Sequence, residues 1–159
     1  MEIGAIKNLI KVWYEKASHE QDPFSKFIFL WFCFNAWLSH CSTKDTDAEM
    51  LKQLTGRDAR MLDLIVAYDS LMQASPSVFR VHVQNLASLS PILDVREIRP
   101  PVTIENEEDF ANIMWGIYRV RCNLFHGGKN ANDSRDQKLV LIAGAILEKW
   151  VGSFKSQWE

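Results

Sequence analysis

The chain has 159 residues, 47% of them apolar and 24% charged, a composition that excludes disorder and collagen-like repeats and fits one globular domain over 1–159. A chain of this length removes roughly two-thirds of its unfolded surface from water, so its core needs no disulfide or structural metal. Lysine and arginine number 18 against 20 aspartates and glutamates, a formal charge of -2, and any site for a polyanion must therefore be local.

Apolar residues recur at three- and four-residue spacing in segment after segment, which predicts an all-α protein. The first helix carries Ile3, Ile6, Ile10, Trp13 and Ala17 on one stripe. Asp22 followed by Pro23 is an N-cap with proline at the first helical position, and it opens a helix over 24–40 whose apolar residues surround it, as in a central or interface helix. That apolar run, 27–38, is broken by Asn35 and is too short to span a bilayer, so no membrane is expected among the partners. Asn35 itself reads as a hydrogen-bonded core amide, with a site role as the alternative. Beyond a polar turn at 43–47 come a short helix ending near Leu54, a second around Met61, Ile65, Tyr68 and Met72, and a third after Ser75-Pro76 running to Leu89.

Pro91, Pro100 and Pro101 then make 90–102 the one long connector. Two strong helices follow it. The first is expected to begin in the acid-rich stretch 103–109 and to close at Gly127-Gly128; the second starts at Asp133 and lines up Leu139, Ile142, Ala143, Ile146, Trp150, Val151 and Phe154.

In the helix ending at His126, Phe110, Ile113, Met114, Ile117, Val120 and Leu124 share one side, and Arg121 falls at its edge. A guanidinium at that position must be paired, hydrated in a cavity, or placed at a subunit seam. His126 stands where unpaired helix-end carbonyls favour a protonated imidazole, a setting for proton transfer. Residues five apart on a helix are rotated by about 140°, so the length of Arg121 or a second protomer has to bring the two groups together. From 119 to 138 five lysines and arginines face two aspartates.

Metal chemistry is not expected. Cys33, Cys41 and Cys122 form no CxxC pair, His40-Cys41 has no second ligand pair, and the odd thiol count with no signal pattern points to a cytoplasmic protein. His19 and His82 read as surface or capping groups. The six tryptophans fall mostly on core stripes.

The string 118–129, YRVRCNLFHGGK, with Arg121 and His126 separated by four residues at a helix end, resembles the Rx4-6H motif of the HEPN superfamily. With the upstream FIFLWFCFNAWL segment it is similar to the Apea-like branch of that superfamily. The resemblance implies an up-and-down helical bundle with extra short helices that dimerises through the motif-bearing helices. It implies a metal-independent endoribonuclease without cofactor, acting on RNA in toxin-antitoxin, anti-phage or other RNA-restriction settings, with an antitoxin or sensor protein as regulator. Arg121 and His126 are then the catalytic pair; Asn123, Lys129 and Arg119 are added as RNA-binding or supporting residues on proximity and chemistry. Two positions depart from the pattern. Cys122 follows the motif arginine where a polar residue is usual, and Gly128 stands where HxY toxins carry the tyrosine that accepts a nucleotide. The residues leave two alternatives open: a non-catalytic module binding RNA, nucleotide or protein, and a bundle in which Arg121 is only a salt-bridge partner and His126 only a cap.

Overall fold

The computed structural model describes residues 2–127 and 133–159. Among them the protein is all-helical: α1 (Ile3–His19), α2 (Pro23–Cys41), α3 (Asp47–Thr55), a 3₁₀ turn (Ala59–Met61), α4 (Leu62–Gln73), α5 (Val78–Ser88), α6 (Phe110–Phe125), α7 (Ser134–Ser153) and α8 (Lys155–Trp158). None of these helices is long and apolar enough to cross a membrane.

The starts of these helices are chemically marked. Asp22, Thr46, Ser77, Asp109 and Asp133 each accept a backbone N–H of the first helical turn, in α2, α3, α5, α6 and α7 respectively. Each such cap is worth about 1 kcal/mol. The acidic run expected to open α6 instead stays outside it: the helix begins at Phe110, and only Asp109 caps it, because Asn106 and Asp109 turn their side chains onto nearby backbone N–H groups.

α2 is central. It packs against α1 on one side and α7 on the other, burying Phe27, Leu30, Trp31, Cys33, Phe34, Trp37 and Leu38. α5 and α4 lie against α7, so Trp150 of α7 sits between Phe34 of α2 and Tyr68 of α4, at ring separations of 4.9 and 5.1 Å. Its indole N–H donates to the buried Leu64 carbonyl at 2.9 Å, satisfying a polar group that burial would otherwise penalise. The stripe expected on α7 is buried throughout except Ile142, which is partly exposed.

Asn35 departs from its expected role. It lines a shallow groove with Leu9, Trp13, Phe32 and Ala36, and its Oδ1 is buried with no hydrogen-bond partner among the described residues.

The connector 90–102 is ordered by pairing and anchoring. Ile92 and Val102 exchange backbone hydrogen bonds of 2.8 and 3.0 Å as an isolated antiparallel bridge. The loop thus closed lies on α6 at Gly116, where a Cβ would come within 3.0 Å of Ile92 Cδ1. Arg135, at the start of α7, donates to the Leu89 and Pro91 carbonyls at the other edge.

Candidate functional site

α6, α3 and the connector enclose a hollow of about 530 Å³. Among the described residues, Lys52, Arg96, Arg99, Arg119 and Arg121 line it together with His126 and the carboxylate of Asp94, and Asp47 lies against Arg121. This local excess of positive charge is invisible in a net charge of -2.

The structure brings Arg121 and His126 to the same cleft. The helix stops at Phe125 and His126 is its C-cap, at φ -93° and ψ 9°. Its N–H still bonds the Cys122 carbonyl at 3.0 Å, and Gly127 follows at φ +68°, the left-handed conformation that ends helices and that glycine adopts without penalty. The imidazole is therefore just beyond the helix, exposed to solvent.

Arg121 meets two of its three anticipated conditions, being paired and in a cavity. Its Nη2 lies 3.2 Å from Asp47 Oδ2, in the first turn of α3, and its guanidinium stacks over the Phe125 ring at 4.3 Å. Its Nη1 approaches Cys122 Sγ at 3.9 Å, a weak contact with a soft neighbour. The buried Nε has no partner among the described residues.

Arg119 and Asn123 direct their side chains onto the connector backbone. Both are buried, and both hold the connector. Arg119 donates to the Ile92 and Pro100 carbonyls at 3.4 and 3.1 Å. The side-chain amide of Asn123 donates to the Leu93 carbonyl at 2.9 Å and accepts the Val95 N–H at 3.1 Å, completing both halves of a peptide-like pairing. Their role in the site is support, exerted from α6 on the loop that forms the cleft's far wall. Lys129 lies outside the described residues.

Several cleft residues escaped the sequence reading. Asp94 shapes the connector: its two carboxylate oxygens accept the N–H groups of Arg96 and Arg99, each at 3.0 Å. Those hydrogen bonds hold its carboxyl below the usual range, with Arg119 and Arg96 adding to the effect. The available signal was an aspartate two residues before one arginine and five before another, bracketed by prolines. Trp115 and Tyr118 form an aromatic wall with rings 5.8 Å apart at 75°. Burial pushes the Tyr118 hydroxyl up to about 12, with the Cys122 side chain as its hydrogen-bond partner adding to the effect.

Elsewhere the cysteines and histidines are structural or superficial. Cys33 is buried and donates to the Ile10 carbonyl at 3.4 Å, His40 is exposed against Trp37, and His82 is held below its usual range by burial and by Lys149. Among the described residues no three histidine, cysteine, aspartate or glutamate side chains cluster closely enough to hold a metal ion.

Comparison with protein-family models, with curated proteins and with solved structures finds no match to the chain.

Proposed function

We propose that the protein is a metal-independent endoribonuclease of the HEPN kind, folded as an up-and-down bundle and acting in a toxin-antitoxin, anti-phage or RNA-restriction setting. The observation that supports this reading is the convergence of Arg121 and His126 on one cationic cleft. RNA carries its own nucleophile, so the protein has only protons to move and charge to stabilise.

In the proposed reaction the 2′-hydroxyl loses a proton, its oxygen bonds to phosphorus, and the P–O5′ bond breaks as O5′ gains a proton. His126, exposed at the helix end, carries protons at this step. Arg121 holds the crowded phosphate through its forked N–H donors, exchanging Asp47 for the phosphate oxygens. The products are a 2′,3′-cyclic phosphate and a 5′-hydroxyl.

We also propose a homodimer about the motif-bearing helix ends. Leu93, Val95 and Ile98 on the connector and Phe125 in the last turn of α6 are exposed apolar side chains on the same elements that line the cleft. A two-fold pairing there would place two cationic clefts side by side.

A non-catalytic RNA-binding module is the second reading, favoured by the pairing of Arg121 with Asp47. The deciding experiment incubates wild type and His126→Ala with mixed single-stranded and transfer RNA in EDTA and analyses fragment ends. Cyclic-phosphate fragments from wild type alone support the enzyme. Cleavage retained by His126→Ala, or RNA bound by folded wild type but left intact, overturns it.

A further inference from the structure

The connector presents two arginines in a way that catalysis by Arg121 and His126 does not use. Arg96 and Arg99 are both exposed, and both line the cleft. Their backbone N–H groups are bound by Asp94, so the loop geometry is set by main chain and leaves the side chains available. Arg96 makes one long contact, Nε to Asp94 Oδ1 at 3.9 Å; the Arg99 guanidinium makes no ion pair among the described residues. Lys52 of α3, likewise without an ion pair among the described residues, lines the same cleft. Trp115 is partly exposed in it, edge-on to Tyr118.

Exposed cations with at most one long ion-pair contact among the described residues, beside an aromatic face, are the chemistry of a nucleotide subsite: phosphate meets guanidinium and a base stacks on the ring. The connector is also braced from behind by Arg119, Asn123 and Arg135, so its arginines are carried on a fixed loop. A base can reach Trp115 inside a hollow of about 530 Å³ only when it is unstacked from a partner strand.

We infer that Arg96 and Arg99 bind backbone phosphate flanking the one held by Arg121, that Trp115 stacks a neighbouring base, and that the ligand is therefore single-stranded RNA. This deepens the proposed function and rests on reading the cleft as an RNA site. It concerns binding, so it is separable from cleavage.

The test uses a fluorescently labelled single-stranded oligoribonucleotide and His126→Ala protein, which keeps the RNA intact, with affinity followed by anisotropy across a salt series. Adding Arg96→Ala and Arg99→Ala together is expected to weaken binding at least tenfold and to flatten the slope of log K against log salt by about 1.4, since each lost single-strand contact removes about 0.7. Both substitutions keep the backbone N–H groups that Asp94 holds, and circular dichroism checks the fold. Trp115→Leu is expected to weaken binding severalfold with the slope unchanged, Trp115→Phe to restore most of it, and a duplex of the same sequence to bind more weakly than the single strand.

An unchanged slope and affinity in the double arginine variant overturn the phosphate role, and duplex binding as tight as single-strand binding overturns the ligand class. Failure of the nuclease reading looks different: intact RNA with wild type, alongside the predicted losses in the binding series. Cleavage by wild type with no effect of the connector variants sinks this inference and leaves the nuclease standing. No RNA binding by folded His126→Ala protein or wild type overturns both.

Discussion

Asp47, the first residue of α3, holds the Arg121 guanidinium of α6 at 3.2 Å, with the two side chains only 20% and 23% exposed. The carboxylate sits in the first turn of α3, whose N-terminus Thr46 caps, so the positive end of that helix dipole lies beside it. It orients Arg121, and it also competes with any phosphate.

Replacement Asp47→Asn separates these effects. The pair is too shielded to be a negligible surface bridge and too wet to rank with fully buried pairs, so the variant should lose about 1–2 kcal/mol of stability. At about 2–4 °C per kcal/mol in a chain of this size, the melting midpoint falls by several degrees. Affinity for single-stranded RNA should rise in the same variant, because the competing anion is gone. Calorimetry and anisotropy on one preparation check both; a variant that is destabilised and binds RNA more weakly would show that Asp47 serves only to position Arg121.

Asn123 gives a sharper structural prediction. Asn123→Ala leaves the Val95 N–H and the Leu93 carbonyl without their partner and opens a small cavity, a loss of about 2–3 kcal/mol. The damage should be concentrated in the connector. Limited trypsin digestion should then cut rapidly after Arg96, whereas the Arg99-Pro100 bond resists. Because Arg119 grips the same segment through the Ile92 and Pro100 carbonyls, Arg119→Ala and Asn123→Ala should be non-additive by at least 0.5 kcal/mol in a double-mutant cycle. Strict additivity would mean the two anchors act on independent pieces of the loop.

Much of this architecture could be read directly from residue order. Period and caps located the long helices: Asp22-Pro23 opens α2, Asp133 caps α7, and Gly127 ends α6 in the left-handed conformation. The acidic stretch before α6 misled because helix-dipole preference and local Asx hydrogen bonding favour the same residue types, and here the local bonds prevailed over 103–109. Arg121 and His126 were visible because one breaks an apolar face and the other marks a helix end. Arg96 and Arg99 were not, since their meeting with α6 depends on how a proline-rich loop folds back, and Lys52 was not, since its meeting depends on how α3 packs on α6, long-range facts with no periodic signature. Asn123 and Arg119 looked like polar neighbours of a motif; only the folded connector shows that their hydrogen bonds are spent on its backbone.

Acidification should loosen that same loop. The Asp94 carboxyl has a folded-state pKa below its unfolded value of about 3.9, through the Arg96 and Arg99 N–H groups. A depressed carboxylate contributes stability that is fully present above the unfolded value and is lost as pH falls through the folded one. Asp94→Asn should therefore be less stable than wild type at neutral pH, and the gap between them should narrow below roughly pH 4. Urea midpoints measured across that range test it. A gap that stays constant down to the acid limit would mean the Asp94 charge contributes nothing and only its shape matters.

The last prediction distinguishes charge from geometry at the proposed catalytic arginine. Arg121→Lys keeps a cation near Asp47 but replaces a planar fork by a single ammonium, which cannot grip two oxygens of a crowded phosphate at once. RNA binding should fall little, since the cleft retains Lys52, Arg96 and Arg99. The cleavage rate at saturating RNA should fall by about 10²–10³, the usual effect of losing one oriented donor to a transition state. A drop confined to KM would assign Arg121 to ground-state binding, and a lysine variant cleaving at the full rate would remove it from the chemistry.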